Sequence, residues 1–272
     1  MNRTGPKTET MVTDQGTISY YYYEKEGAYH TMLFIHGLGE DKEWFPNQLE
    51  EFSLDRYTWI VPDLIGHGNS ERIDDLESYT MQSQAKAIHA ILKREGVKRV
   101  AILAHSMGGP IAVSLIEQLN DDNEVAPTHL FYLEGNIDSG DAFFSSKVAS
   151  MTLKDYTSGF NEWYEQVTRE TEEELLLDWY KGIGNAGPVS VWASSTDLVS
   201  VSNSGEIMDR LKNVITFPAY FFFGEKSKGI YSSEKTLRDA GYQVLYVPLA
   251  GHSMYLENPG WFWETIHELL SK

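Results

Sequence analysis

The stretch Ala104-His105-Ser106-Met107-Gly108-Gly109 sets a hydroxyl between an apolar run, Val100 to Leu103, and a helix-compatible run, Pro110 to Leu119. A serine in a strand-to-helix turn, with tiny residues two positions either side, sits on a strained backbone that exposes its oxygen. Ala104 and Gly108 meet that steric demand, although Ala104 carries one methyl more than the glycine usual there. A helix opening near Met107 aims free N–H groups and its positive dipole end at the place where an oxyanion would form. The chemistry this supports is nucleophilic attack. The plain alternative is an ordinary strand–turn–helix connection.

A serine nucleophile needs a base, and the C-terminal part of the chain offers one. Tyr242 to Val247 reads as a short buried strand, followed by the small-residue loop Pro248-Leu249-Ala250-Gly251-His252. An imidazole just past a strand end can reach over a sheet edge, and its near-neutral affinity suits taking and returning a proton. His30, His67, His89, His129 and His267 have no such setting and are read as packing or surface residues.

Four segments in order resemble the α/β-hydrolase superfamily, in its serine-nucleophile branch with a helical cap. Leu33-Phe34-Ile35-His36-Gly37-Leu38-Gly39 looks like the oxyanion loop after the third strand, and Pro62-Asp63-Leu64-Ile65-Gly66-His67-Gly68-Asn69-Ser70 looks like the loop after the fourth. Ala104 to Gly109 resembles the nucleophile elbow, and Gly251-His252-Ser253-Met254 with Glu257-Asn258-Pro259 resembles the histidine segment. The resemblance implies oxyanion donors at the amides of Met107 and Leu38, and a loop-orienting role for His36. It implies no metal and no organic cofactor.

The acid departs from the commonest family pattern. Relatives usually carry Asp shortly after the seventh strand, but here Ala219 to Phe223 is followed by Gly224-Glu225-Lys226-Ser227, with Ser227 at the expected position. Some branches place the acid after the sixth strand instead. Thr128 to Leu133 reads as that strand and ends in Glu134-Gly135-Asn136, so Glu134 is the candidate acid, with Glu225 and Asp138 as alternatives. The chain order Ser106, Glu134, His252 keeps the order of this fold.

The expected reaction is acyl transfer to water through Ser106, His252 and Glu134, with carboxylic ester hydrolysis leading. Thioester, lactone, amide or carbon–carbon cleavage, perhydrolysis and transfer to another acceptor use the same residues. A serine at the elbow argues against the dehalogenase and epoxide hydrolase chemistries that use Asp there. A different class of function is a hydrolase-fold small-molecule receptor with little turnover. A dinucleotide fingerprint at Gly37-Leu38-Gly39 fails, because its third glycine would fall at Lys42.

Composition sets the outer bounds. A chain of 272 residues with 42% apolar residues can bury a large core, and it contains no Cys, which removes disulfides and thiolate chemistry. A formal charge of −18 disfavours nucleic acid and anionic membranes as partners; the partner expected from the acyl-transfer reading is a small acyl substrate. Met1 to Glu9 is polar and no run reaches the roughly 18 apolar residues of a membrane span, so a cytoplasmic protein without a secretory signal is expected.

The elements that must position these residues follow from periodicity. Two strands are expected over 9–23 around Asp14-Gln15-Gly16, then strands at 31–35, 57–61, 98–104, 128–133, 217–223 and 242–247. Helices are expected at 44–53, 79–95, 107–119, 232–239 and 259–270. Their alternation predicts an α/β fold, an eight-stranded mostly parallel sheet flanked by helices. The gap before Phe217 predicts a helical cap over 138–213, inserted into a core of 1–137 and 214–272. Within it, Thr171 is expected to N-cap a helix ended by Gly182, with further helices over 188–199 and 205–211. Its aromatic residues are expected to divide between cap core and a mainly apolar pocket above Ser106.

Overall fold

Runs such as Met32-Leu33-Phe34-Ile35 and Val100 to Ala104 are apolar at every position, which suits strands covered on both faces. The computed structural model describes residues 6–45, 52 and 54–271 and places these runs at the centre of one sheet. Lys7–Thr13 (β1) and Gly16–Tyr23 (β2) form an antiparallel edge hairpin. Thr31–Ile35 (β3), Thr58–Pro62 (β4), Arg99–His105 (β5), Ala126–Leu133 (β6), Ala219–Gly224 (β7) and Gln243–Val247 (β8) complete it. The strand order is β1-β2-β4-β3-β5-β6-β7-β8, with β1–β2 and β2–β4 antiparallel and the later pairings parallel.

The two-residue period of the strands divides the core into two layers. Leu33, Ile35, Ile102 and Leu130 face one layer, where Met81–Arg94 (α1) and Gly108–Asp122 (α2) pack. Met32, Phe34, Leu103 and Phe131 face the other, against Pro259–Leu270 (α9) with Phe262, Trp263 and Ile266. Thr80 caps α1 by accepting from Ser83 N, and Asn258 with Pro259 at the first position opens α9. Ser232–Asp239 (α7) and the short Met254–Glu257 (α8) flank β8. Most of the helix expected over 44–53 lies outside the described residues, and Trp44 itself ends a 3-10 turn, Lys42–Trp44.

Between β6 and β7 the chain is helical, but its boundaries correct the sequence expectation. Phe143–Ala149 (α3) and Leu153–Glu170 (α4) were not foreseen, since α4 buries only Tyr156 and Phe160 and presents a polar face to water. Thr171 does not N-cap the next helix; it is the C-cap of α4, its N–H and hydroxyl both donating to Val167 O, while the Glu173 carboxylate accepts from Leu175 N and Leu176 N to open Glu174–Ser204 (α5). Gly182 does not end that helix. It lies mid-helix, and the break comes at Gly187 (φ 80, ψ 164), ahead of Pro188, whose ring cannot continue the preceding turn. The helix expected over 188–199 is the second half of α5, and the last is Ile207–Val214 (α6) rather than 205–211. No helix among the described residues is long and apolar enough to cross a membrane.

Candidate active site

The end of β5 delivers Ser106 into the left-handed region, at φ 53, a conformation a serine adopts only where its surroundings enforce it. Ser106 N donates to Leu133 O at 3.0 Å, which locks the turn to the end of β6. The backbone then passes so close to β3 that a Cβ on Gly108 would lie 2.4 Å from Ile35 O. No side chain caps the start of α2, so its first N–H groups face the serine turn.

Glu134 leaves β6 with φ 39 and is pinned to the neighbouring strand by Glu134 N donating to Phe222 O at 2.9 Å. Its Oε1 accepts from Gly224 N at 2.7 Å, and its Oε2 lies 2.7 Å from His252 Nδ1. Ser227, the residue standing where an Asp is common, hydrogen-bonds this carboxylate, and so does the Tyr231 hydroxyl, which sits 3.1 Å from His252 Nδ1. Burial alone would raise the Glu134 carboxyl, but the bonds from His252, Gly224 and Ser227 outweigh it and hold it below the usual range. Its side chain is 0% exposed while that of His252 is 43% exposed, so the acid is sealed and the imidazole is open to the cavity.

The alternative acids are engaged elsewhere. Glu225 Oε2 accepts from Leu249 N at 2.9 Å. Asp138 caps the 3-10 turn Ser139–Asp141 and bonds the Ser232 hydroxyl. None of His30, His67, His89, His129 and His267 borders the cavity that holds Ser106 and His252.

The loop after β3 is braced from three sides. His36 Nδ1 donates to Gly37 O at 2.8 Å, and its Nε2 accepts from Leu64 N at 2.9 Å, joining this loop to the one after β4. Leu38 O accepts from Trp179 Nε1 of α5 at 2.6 Å. Gly39, at φ 76, meets the same helix so tightly that a Cβ on Gly182 would lie 1.7 Å from Gly39 O. Lys42, only 1% exposed, bonds Asp63 Oδ2 at 2.7 Å and Asn69 Oδ1 at 2.6 Å. Glu40 pairs with His105, a contact that sequence reasoning missed, although Glu40 follows His36 by only four positions.

Ser106 and His252 border a cavity of about 570 Å³ with Leu38 at its edge. Phe143, Phe144, Leu176 and Trp179, from the helices between β6 and β7, supply apolar lining, and Lys226 and Glu257, paired at 2.9 Å, also border the cavity. Among the other aromatic residues of the insertion, Phe160, Trp163 and Tyr164 pack into the core, and Trp192 Nε1 donates to Met151 O. Asp141 also lines the cavity, and burial lifts its carboxyl to about 6 despite bonds from Ile137 N and the Ser233 hydroxyl.

A family model described as alpha/beta hydrolase fold matches residues 30–126. Over almost the whole chain the structure is similar to an esterase from Exiguobacterium antarcticum, with a TM-score of 0.75 at 18% identity, covering 99% of this chain and 100% of that one. This chain has the α/β-hydrolase fold. A mutant of the N-acyl homoserine lactonase AidH in complex with N-hexanoyl homoserine is also similar, with a TM-score of 0.73 at 19% identity and coverage of 97% and 96%. An uncharacterized protein of Mycobacterium tuberculosis is 32% identical over 92 residues, which is 34% of this α/β-hydrolase-fold chain and 26% of that protein. The chain thus spans about a quarter of the length of the curated relatives it matches.

Proposed function

We propose that the protein is a serine hydrolase that cleaves a carboxylic ester, or a closely related acyl bond, of a mainly apolar small molecule. The observation that carries this reading is the 2.7 Å contact of His252 Nδ1 with the sealed Glu134 carboxylate, at the rim of the cavity that Ser106 borders. A carboxylate on Nδ1 fixes the tautomer and leaves Nε2 as the accepting nitrogen.

In this mechanism Ser106 Oγ attacks the substrate carbonyl and its proton passes to His252 Nε2. The amides of Leu38 and Met107 hold the resulting oxyanion, which fixed backbone donors do without reorganising. The imidazolium returns its proton to the leaving alcohol oxygen, and the acyl group stays on Ser106. A water then gives a proton to His252 and its oxygen to the acyl carbon, and release of the acid restores the serine. The two solved neighbours named above, an esterase and a lactonase, have the fold in common with this scheme. We assign the chain a core of residues 1–137 and 214–272 and a cap of 138–213. The cap's apolar wall, facing a cavity of about 570 Å³, suits an apolar acyl or alcohol group.

A fluorophosphonate probe and a series of p-nitrophenyl esters test the assignment. The probe is expected to form its adduct on Ser106, and Ser106→Ala to lower ester turnover about a thousandfold or more with the circular dichroism unchanged. An adduct on another residue, or activity retained by the alanine variant, overturns the nucleophile. Ligand binding without turnover in the wild type replaces hydrolysis with the receptor reading.

A further inference from the structure

His105, the residue before the candidate nucleophile, has an acceptor at each ring nitrogen. Nδ1 lies 2.8 Å from Glu40 Oε1, and Nε2 lies 2.9 Å from the carbonyl oxygen of His252. The carbonyl can only accept, so Nε2 carries a proton, and the 2.8 Å approach of Nδ1 to Glu40 Oε1 is that of an ion pair. The two side chains are 0% and 3% exposed, so water supplies neither partner. Glu40 Oε2 accepts from Gly37 N at 2.7 Å, and the buried Tyr255 hydroxyl lies near the same carboxylate.

We propose that His105 and Glu40 form a buried imidazolium–carboxylate pair that holds the loop after β3 and the His252 loop in register about Ser106. The inference rests on the hydrolytic reading of the site. Its structural logic is that one pair ties down three loops: Glu40 holds the Gly37 amide, His105 holds the His252 backbone, and Ser106 follows His105 in the chain. A buried pair that loses one partner leaves the other charge uncompensated, and the loops must move to let water in. His105 and Glu40 are therefore positioning residues, since neither is asked to touch the reacting atoms.

The negative groups facing His105 favour a charged ring. Glu40 approaches from the loop after β3, and Glu134 adds a second negative charge from the end of β6. The Tyr255 ring packs edge-on at 5.4 Å from α8, and the His252 ring lies at 4.5 Å. Burial opposes charge on both members, yet Glu40 keeps the imidazole above its ordinary range, and His105 with the Gly37 amide keeps the carboxyl below its own.

Nitrogen-15 NMR of histidine-labelled protein, assigned by difference against His105→Gln, reads the pair directly. His105 is expected to keep protons on both nitrogens to a pH above the ordinary imidazole midpoint. Glu40→Gln is expected to remove the second proton and to lower kcat about tenfold or more with KM within about threefold, and Glu40→Asp to recover part of kcat. A wild-type His105 that titrates near its ordinary value overturns the pair. Wild-type kcat in a folded Glu40→Gln overturns the positioning role; if that variant does not fold, Glu40→Asp with kcat and proton occupancy both at wild-type level does so. Absence of turnover and of fluorophosphonate labelling in the wild type refutes hydrolysis alone, and the titration of His105 then still decides the pair.

Discussion

At the scale of single residues, the carboxylate that meets His252 was legible only in part. Glu134 stood out because it follows a strand and precedes a glycine, but Glu225 follows a strand too, and so remained an alternative in the sequence. What separates them is three-dimensional: Gly224 N, His252 Nδ1, Ser227 and Tyr231 all converge on Glu134, while Glu225 faces Leu249 N. Glu134→Gln is expected to lower ester turnover about a hundredfold or more, because the amide cannot hold the imidazole tautomer or stabilise its charge. Glu225→Gln should stay within about threefold of wild type. Steady-state rates on one p-nitrophenyl ester decide it, and the reverse ranking would move the acid to the end of β7. Ser227 carries a more general lesson. A residue at an unexpected position was readable as a departure, but its hydrogen bond to the displaced acid depends on two strands meeting, which no local spacing reports.

Among the elements, those of the sheet were the easiest to foresee. β3, α7 and α9 fall on the expected boundaries, because each has a strong local signature: a run of buried residues, or a clear apolar stripe with terminal signals. The inserted helices were harder, because their starts and stops are set by contacts with other segments. Gly182 is the clearest case. Read locally, a glycine near the end of an amphipathic run is a stop; in the structure it is the point where α5 rests on the Gly39 carbonyl. Gly182→Ala would gain about 1 kcal/mol of helix propensity. Yet its methyl would lie 1.7 Å from that oxygen, and backbone cannot yield as a side chain tip would. The clash is expected to win, with a net loss of about 1–3 kcal/mol and a fall in turnover from the disturbed loop. Thermal unfolding beside the ester assay tests this, and a raised melting temperature would mean that helix and loop separate freely.

For the whole molecule, pH acts through buried imidazoles. Burial drives His67 down to about 3 and His129 to about 4, so the folded state excludes protons that the unfolded chain binds below about 6.5. Their stabilisation is complete above that value and declines as pH falls towards the folded values, at about 1.4 kcal/mol per pH unit for each imidazole. Asp141 works in the opposite sense, because a carboxyl lifted to about 6 takes up its proton earlier in the fold than in the unfolded chain. His129→Gln, which removes one of these rings, is therefore expected to lose less stability than the wild type between pH 7.5 and pH 5. Urea midpoints of both proteins at the two values measure it, and equal losses would contradict the burial of that ring. The interruption at Gly187 carries a different consequence. Upstream of it, α5 presents Leu176 and Trp179 to the cavity; downstream, Asp197 Oδ2 accepts from Met81 N at 2.7 Å and fastens the helix to α1. The downstream half also reaches the cavity through Leu198, next to that anchor. Substituting Leu176 would therefore reshape the cavity wall alone, whereas changes around residues 197 and 198 would disturb wall and anchor together.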